Sequence, residues 1–465
     1  MKKLLITTPI YYINAAPHIG SATTTVLADF FKRLYQLRGH DVYLTTGTDE
    51  NGQKIQKANN SNISFEEFQT QNAMLFKSTF DKLDISYDRF IRTTEKEHHE
   101  MVIRIWNILK SKGHIYEGMY KGYYCVSDET FYTEKDLTLK DGKHYTRDNK
   151  LAEYCERSAY FLRLENIKDE MLKFYKTHKD ITYPANRVNE LIAFIDEGFK
   201  DLCISRDDNI GVVIPDSNRT VYVWFDALIN YITVARCVID ENGIKDAGYW
   251  TNVIHLVGKD ILTFHALFWI AMLKLADLLP EHITVFAHNW WVFASSSGEV
   301  QKMSKSLGNV TDPNVIRERY GVDCVRFYLI FVNLINNDAQ FSEDNMIQLF
   351  NSYMVNKFSN LVYRVFSLLK KREILCDDVR HNKKYESILL NCEMDVNLYM
   401  RTLFEWCDSL NESVDKNTIW NNVEAAVEIA KEINQLYKYF VPIAPSVHEK
   451  FANKYNAPIF THIKV

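Results

Sequence analysis

The chain opens with a short apolar run, KLLITT. Apolar residues at helical spacing follow in IGSATTTVLADFFKRLYQLRG, which stops at Gly39, and then comes a second apolar run, DVYLTT. These periods predict strand, helix and strand. A right-handed crossover of this kind builds a parallel sheet, whose ligands gather at the carboxyl ends of the strands, where residues 8–21 and 46–52 would sit. Helical patterning resumes in EKEHHEMVIRIWNILKSKG. The stretch from YKGYYC to AYFLRL then turns polar, turn-rich and aromatic, marking an insertion of mixed, largely β character. VYVWFDALINYITVA, IHLVGKDILTFHALFWIAMLKLADLLP and ITVFAH restore the alternation, and from about residue 345 the pattern is helical. The expected fold class is α/β, a doubly wound, Rossmann-like parallel sheet split by a mixed α/β insert and followed by an all-α bundle.

A chain of 465 residues exceeds one ordinary core, so two to four domains or inserted modules are expected. Hydrophobic residues at 46% and charged residues at 25%, with 27 Tyr and 27 Phe, exclude a disordered chain. A net charge of -5 means that any nucleic acid must be met by local basic patches rather than by global attraction. The eight cysteines (Cys125, Cys155, Cys203, Cys237, Cys324, Cys376, Cys392 and Cys407) are scattered and read as reduced thiols. The apolar start of MKKLLITTPIYY stops at Thr7 and Pro9, too short for a signal core, and no stretch of about 18 apolar residues suggests a membrane span. A soluble, cytoplasmic protein is expected.

Several short stretches carry chemistry, each with a plainer reading beside it. PHIGS sets Pro17, His18, Gly20 and Ser21 at a strand-to-helix turn. The amides and positive helix end there suit an anion, though a loop histidine with an N-cap serine fits as well. TGTDENG puts Asp49 and Glu50 at the end of the second strand, where a carboxylate could bind a substrate ammonium or simply close an Asx turn. VGKDI offers Gly258 for close backbone approach and Asp260 for sugar hydroxyls, or a helix cap. VWFDALINY holds Trp224 and Tyr231, pocket or core. In VQKMSKSLGNV, Lys302, Ser304 and Lys305 could hold a polyphosphate or form a solvated loop.

Taken in order, HIG, GKDI and KMSKS ahead of a helical tail mark a class I aminoacyl-tRNA synthetase. With TPIYYINAAPHIG, TGTDENG, YVWFDALINY, GKDILTFHALFW and KMSKSLGNV, the chain resembles the methionyl-tRNA synthetases over essentially its whole length. The resemblance implies that ATP and L-methionine form methionyl-adenylate and pyrophosphate, and that tRNA(Met) then takes the methionyl group. Such a transfer is mostly positioning and charge stabilisation. By resemblance, His18, Lys302 and Lys305 are the catalytic residues, Lys302 and Lys305 meeting the β and γ phosphates with Mg²⁺. Pro17, Gly20, Ser21, Gly258, Asp260 and Ser304 complete the ATP site. The methionine site would be Ile10, Tyr12, Asp49 for the ammonium, Trp224, Ala227, Leu228, Tyr231, Ile261 and His265. Aromatic rings suit a thioether, and the Tyr12 and His265 pair could hydrogen-bond its sulfur. Asn360 and Arg364, four apart on one helix face, would read the anticodon, with Lys357, Lys370, Lys371 and Arg372 nearby for phosphates. The expected division is 1–115 and 221–300 for the catalytic halves, 116–220 for the insert, 301–345 for the KMSKS loop and stem-contact region, and 346–465 for the anticodon-binding bundle.

The chain also departs from the family pattern. Ser21 stands where a second signature histidine is usual, and it is expected still to donate a hydrogen bond. The insert keeps Cys125 and Cys155 but has Ser127 and Asp128 where further cysteines would stand, so no structural zinc is expected. Ile443 follows Pro442 where a stacking tryptophan is usual. Neither Trp406 nor Trp420 fits that place, so stacking on the anticodon is expected to be weaker or to come from Tyr439 or Phe440. HNWWVFASSSGEV lacks the usual glycine after the histidine. With no appended dimerising module, a monomer is expected. Sibling synthetases for valine, isoleucine or leucine would need a larger editing insert and the cysteine enzyme a zinc site. A catalytically weakened RNA-binding protein is the alternative of another class.

Overall fold

The structure is a computed structural model that describes residues 2–464 except 60–61, 126–129, 133, 148, 208, 241–242, 295–299, 303–310, 333 and 336. Its centre is a parallel sheet of β1 (Lys3–Tyr12), β2 (Asp41–Asp49), β3 (Arg89–Arg92), β6 (Thr182–Tyr183), β7 (Asn252–Gly258) and β8 (His282–His288), in the spatial order β3-β2-β1-β7-β8-β6. Between β3 and β6, the long strands β4 (Ile115–Cys125) and β5 (Leu151–Leu162) form an antiparallel pair outside that sheet. The edge strand β6 lies within residues 116–220 yet pairs with β8, so this stretch of chain returns to the central sheet before leaving it again.

The strand order reverses between β1 and β7, which are neighbours in space and far apart in sequence. Ligands of open α/β sheets bind outside the carboxyl ends of strands at such a reversal. Pro9 sits inside β1, and because it has no N–H the β1–β2 register shifts between Thr7 and Ile10. Beyond the shift Tyr12 lies opposite Asp49, so the two strand ends reach the crevice together.

Helix α1 (Ile19–Leu37) covers β1, followed by α2 (Phe65–Lys82), α3 (Lys96–Ser111), α4 (Val223–Val234) and α5 (Trp269–Ala276). In the tail come α6 (Val322–Phe331), α7 (Asn360–Lys371), α8 (Val396–Lys416) and α9 (Val423–Leu436). One hydrophobic core runs from Leu4, Val26 and Phe30 through Phe327 and Phe358 to Phe440 and Phe460. A second packs α3, α4 and α5 against the opposite face of the sheet. Helix α1 therefore touches the sheet on one side and the tail on the other, with Phe30 edge-on to Tyr399 at 5.2 Å. Across the same boundary Arg326 and Asp29, both without exposed side-chain surface, pair at 2.6 Å.

Candidate active site

His18 is the N-cap of α1. The Gly20 amide donates to its Nδ1 at 3.0 Å, so a neutral imidazole carries its proton on Nε2. Gly20 makes this fold-back possible, because a Cβ there would meet the imidazole at 2.8 Å. Ser21 closes the cap: its hydroxyl donates to the His18 carbonyl at 2.7 Å and receives the His18 amide at 3.0 Å. The one proton of Ser21 is thus directed at His18 itself, and the serine holds the residue that carries the imidazole. Pro17 is buried just ahead of this turn.

The next backbone amide, that of Ile19, donates to the Thr311 carbonyl at 3.1 Å. Thr311 is the first described residue after 303–310, which contain Ser304 and Lys305; both lie outside the described residues. Before that stretch, β9 (Trp291–Ala294) pairs antiparallel with β10 (Val300–Lys302), Val292 opposite Lys302 along the backbone. The hairpin is tied to α1 by the Trp291 indole N–H, which donates to Thr23 Oγ1 at 2.7 Å. Asn289, in the place of a glycine, is buried and used: its amide donates to the Ile335 carbonyl at 2.8 Å and accepts from Arg187 at 2.7 Å.

At the end of β7, Gly258 leaves room for the Asp260 carboxylate, whose Oδ1 would lie 2.6 Å from a Cβ at position 258. Ile261 and His265 follow, His265 within a π-helical turn over Phe264–Phe268, an irregularity that recurs at functional sites. His265 Nδ1 donates to the Ile261 carbonyl at 2.9 Å, so its Nε2 accepts from the Tyr231 hydroxyl at 2.6 Å. The hydroxyl on His265 is therefore that of Tyr231, carried by α4. Trp224, two turns earlier on α4, stacks on Phe264 at 3.9 Å, and Ala227 and Leu228 are buried beside it. Tyr12 and Ile10, half-buried, come from β1.

Burial lowers the His265 imidazole from 6.5 to about 4 and lowers its neighbour His255 well below the usual range. Folded histidines held neutral in this way bind fewer protons than unfolded ones, so stability falls as pH drops from 6.5 towards 4. The His265 share is up to roughly 3 kcal/mol at the acid end. Urea midpoints at pH 7 and pH 5 should show the loss, and His265→Gln should reduce its slope; equal slopes would refute the assignment.

Asp49 and Glu50 part ways. Glu50 is fully buried and held by Arg92 at 2.7 and 2.9 Å, with Thr48 and Thr94 as further donors, so it is a structural anchor and not a second carboxylate for the crevice. Asp49 stays at the strand end beside Tyr12. Behind it, Asn51 donates to Asp226 at 2.6 Å, and His98 donates to the other oxygen of Asp226 at 2.7 Å. Asn51, Asp226, His98 and Arg92 were not singled out from sequence; no local pattern marks them, because their partners lie up to 175 residues away.

The family of class I (M) tRNA synthetases matches residues 4–142 and 136–366. The chain belongs to this family. A methionine–tRNA ligase of Rickettsia conorii is 36% identical over 97% of this chain and 92% of its own length. A probable mitochondrial methionine–tRNA ligase of Neurospora crassa is 40% identical over 78% of this chain and 60% of its own. The Mycobacterium tuberculosis methionyl-tRNA synthetase solved in complex with methionyl-adenylate superposes with a TM-score of 0.85 at 30% identity, covering 97% of this chain and 93% of that one.

In the tail of this class I synthetase, Asn360 is exposed and Arg364 bridges to Asp415 at 2.5 Å. The Arg364 guanidinium also lies 5.9 Å from the ring of Trp420, which is 45% exposed. Tyr439 and Phe440, expected from sequence as stacking candidates, are core residues: Phe440 stacks on Phe358 at 3.8 Å and Tyr439 packs against buried Trp406. No base could reach them without opening the bundle. Lys357 is paired with Asp408 at 2.6 Å, and Lys370 donates to Asn456.

Within the insert Cys125 is buried and Cys155 half-buried, neither in a disulfide among the described residues, while Ser127 and Asp128 lie outside them. Among the described residues no group of three or more His, Cys, Asp or Glu is arranged to hold a metal, and no helix is long and apolar enough to cross a membrane.

Proposed function

We propose that the chain acts as a methionine–tRNA ligase. The L-methionine carboxylate attacks the ATP α-phosphorus, the bond to the β-phosphate breaks and pyrophosphate leaves. The terminal ribose hydroxyl of tRNA(Met) then attacks the methionyl carbonyl and AMP departs. Mg²⁺ enters with the ATP phosphates as part of the substrate. In this reading Asp49 pairs with the methionine ammonium, and Trp224, Ala227, Leu228, Tyr231, Ile261 and His265 line the thioether pocket. Asp260 takes the ribose, and His18 faces the reacting phosphate with its Nε2–H. Lys302 and Lys305 meet the outgoing phosphates. The observation that carries the reading is the Ile19–Thr311 hydrogen bond, which joins the end of the signature stretch to the residue after His18. A monomer in the cytoplasm, without structural zinc, completes the proposal.

ATP–pyrophosphate exchange measured with each of the twenty amino acids should respond to methionine alone. No response to any of them would favour an RNA-binding protein without activity. On the tRNA side, Trp420 beside Arg364 supplies the aromatic platform that Tyr439 and Phe440 cannot. Stacking on one base is worth about 1–3 kcal/mol. Trp420→Ala should weaken tRNA charging by that amount and leave methionine-dependent exchange unchanged; equal charging by both proteins would remove Trp420 from the interface.

A further inference from the structure

Four side chains close a ring at the foot of the signature hairpin. Lys259 donates to Asp338 Oδ1 at 2.6 Å, and the same oxygen accepts the Trp290 amide at 2.9 Å. The Lys259 ammonium lies 4.2 Å from the centre of the Trp290 ring. The indole N–H of Trp290 donates to Asp260 Oδ1 at 3.1 Å, and Asp260 is the chain neighbour of Lys259. Burial alone would raise the Asp338 carboxyl, but Lys259 and the Trp290 amide outweigh it and hold it below the usual range. The Trp290 carbonyl accepts from Ala339 at 3.0 Å, so the residue is fixed on both sides of its peptide unit.

We propose that Trp290 is a positioning residue for the ATP ribose, acting through Asp260; the inference rests on the reading of Asp260 as the ribose carboxylate. A carboxylate turns easily about its last torsion, which is broad and roughly two-fold. Fixing Oδ1 with an indole N–H sets that rotation and with it the place of the second oxygen. Gly258 is part of the same device, since the carboxylate folds into the space where a side chain would stand. Trp290 also lies two residues ahead of Val292, the backbone partner of Lys302. The ribose carboxylate and the base of the phosphate-binding hairpin thereby share one rigid support. Trp290 is therefore not a surface aromatic that merely lies over a lysine.

The test is pyrophosphate exchange with ATP, 2′-deoxyATP and 3′-deoxyATP in the full-length protein. Trp290→Phe keeps an aromatic ring and loses the N–H. It should raise KM for ATP roughly tenfold, the usual weight of a hydrogen bond to a charged group, and leave KM for methionine unchanged. The preference for ATP over the deoxy nucleotides should shrink by a similar factor. Trp290→His, which restores a ring N–H, should recover part of both. Unchanged KM for ATP and unchanged preference in Trp290→Phe would overturn the inference. So would a rise in both KM values with a lower Tm, since that describes support of the hairpin alone. Asp260→Asn separates the two levels. If it abolishes the preference while Trp290→Phe does not, the role of Trp290 falls and the ribose reading stands. If it too keeps the wild-type preference, the ribose reading falls and takes the inference with it.

Discussion

Replacing His18 by asparagine should lower methionine-dependent pyrophosphate exchange about a hundred- to a thousandfold, the usual effect of removing one donor aimed at developing charge, about 2.7–4 kcal/mol. Asparagine is the informative choice because it is itself a favoured N-cap. It can keep an acceptor for the Gly20 amide, which His18 Nδ1 receives at 3.0 Å, while the donor on Nε2 disappears. The helix should therefore survive and the chemistry should not. Rate loss with an unchanged urea midpoint would assign the imidazole to the reaction. Rate loss matched by destabilisation would make His18 a cap alone, and an unchanged rate would remove it from the mechanism.

Arg326→Met should destabilise the protein by about 3–5 kcal/mol, the range seen when one partner of a buried ion pair is taken away. The guanidinium reaches Asp29 at 2.6 Å and the carbonyls of Leu83, Asp84, Pro442 and Ile443 at 3.0–3.4 Å, all from a side chain with no exposed surface. Burial alone would raise the Asp29 carboxyl, but Arg326 and Arg33 outweigh it and hold it below its usual value. Removing Arg326 leaves the buried Asp29 carboxylate to Arg33 and Ser86 and takes a donor from each of these carbonyls. Lysine should not rescue the change, because one ammonium cannot span five acceptors spread around a planar fork. A drop in urea midpoint at constant m is the expected signature; a loss under about 1 kcal/mol would show that the pocket collapses or hydrates cheaply.

What the sequence made legible was local. The strand–helix–strand start and the helical tail follow from short-range periods, whereas at the first turn the N-cap is His18 and not the serine offered by the sequence, Ser21 being its partner three residues on. The roles of neighbouring polar groups were not legible, because their partners lie far along the chain. Asp49 and Glu50 look alike in TGTDENG, and only Arg92, folded against Glu50, separates the anchor from the candidate ammonium ligand. The Tyr231–His265 hydrogen bond was not legible either, because its partners lie 34 residues apart and one of them sits in a π-helical turn, which single-sequence patterns do not mark. Tyr439 and Phe440 were plausible stacking residues until the bundle showed that aromatic spacing there serves packing. Trp420, which does not follow a proline, lies exposed beside Arg364.

Helix α1 has no spare face: one side lies on the sheet and the other on the tail. The tail is consequently a poor candidate for modular exchange. A chimera that borrows residues 346–465 from a relative should misfit against Phe30 unless the matching surface of residues 19–37 travels with it. Over evolutionary time, substitutions on that helix and on the bundle beneath it are expected to have accumulated as compensating pairs.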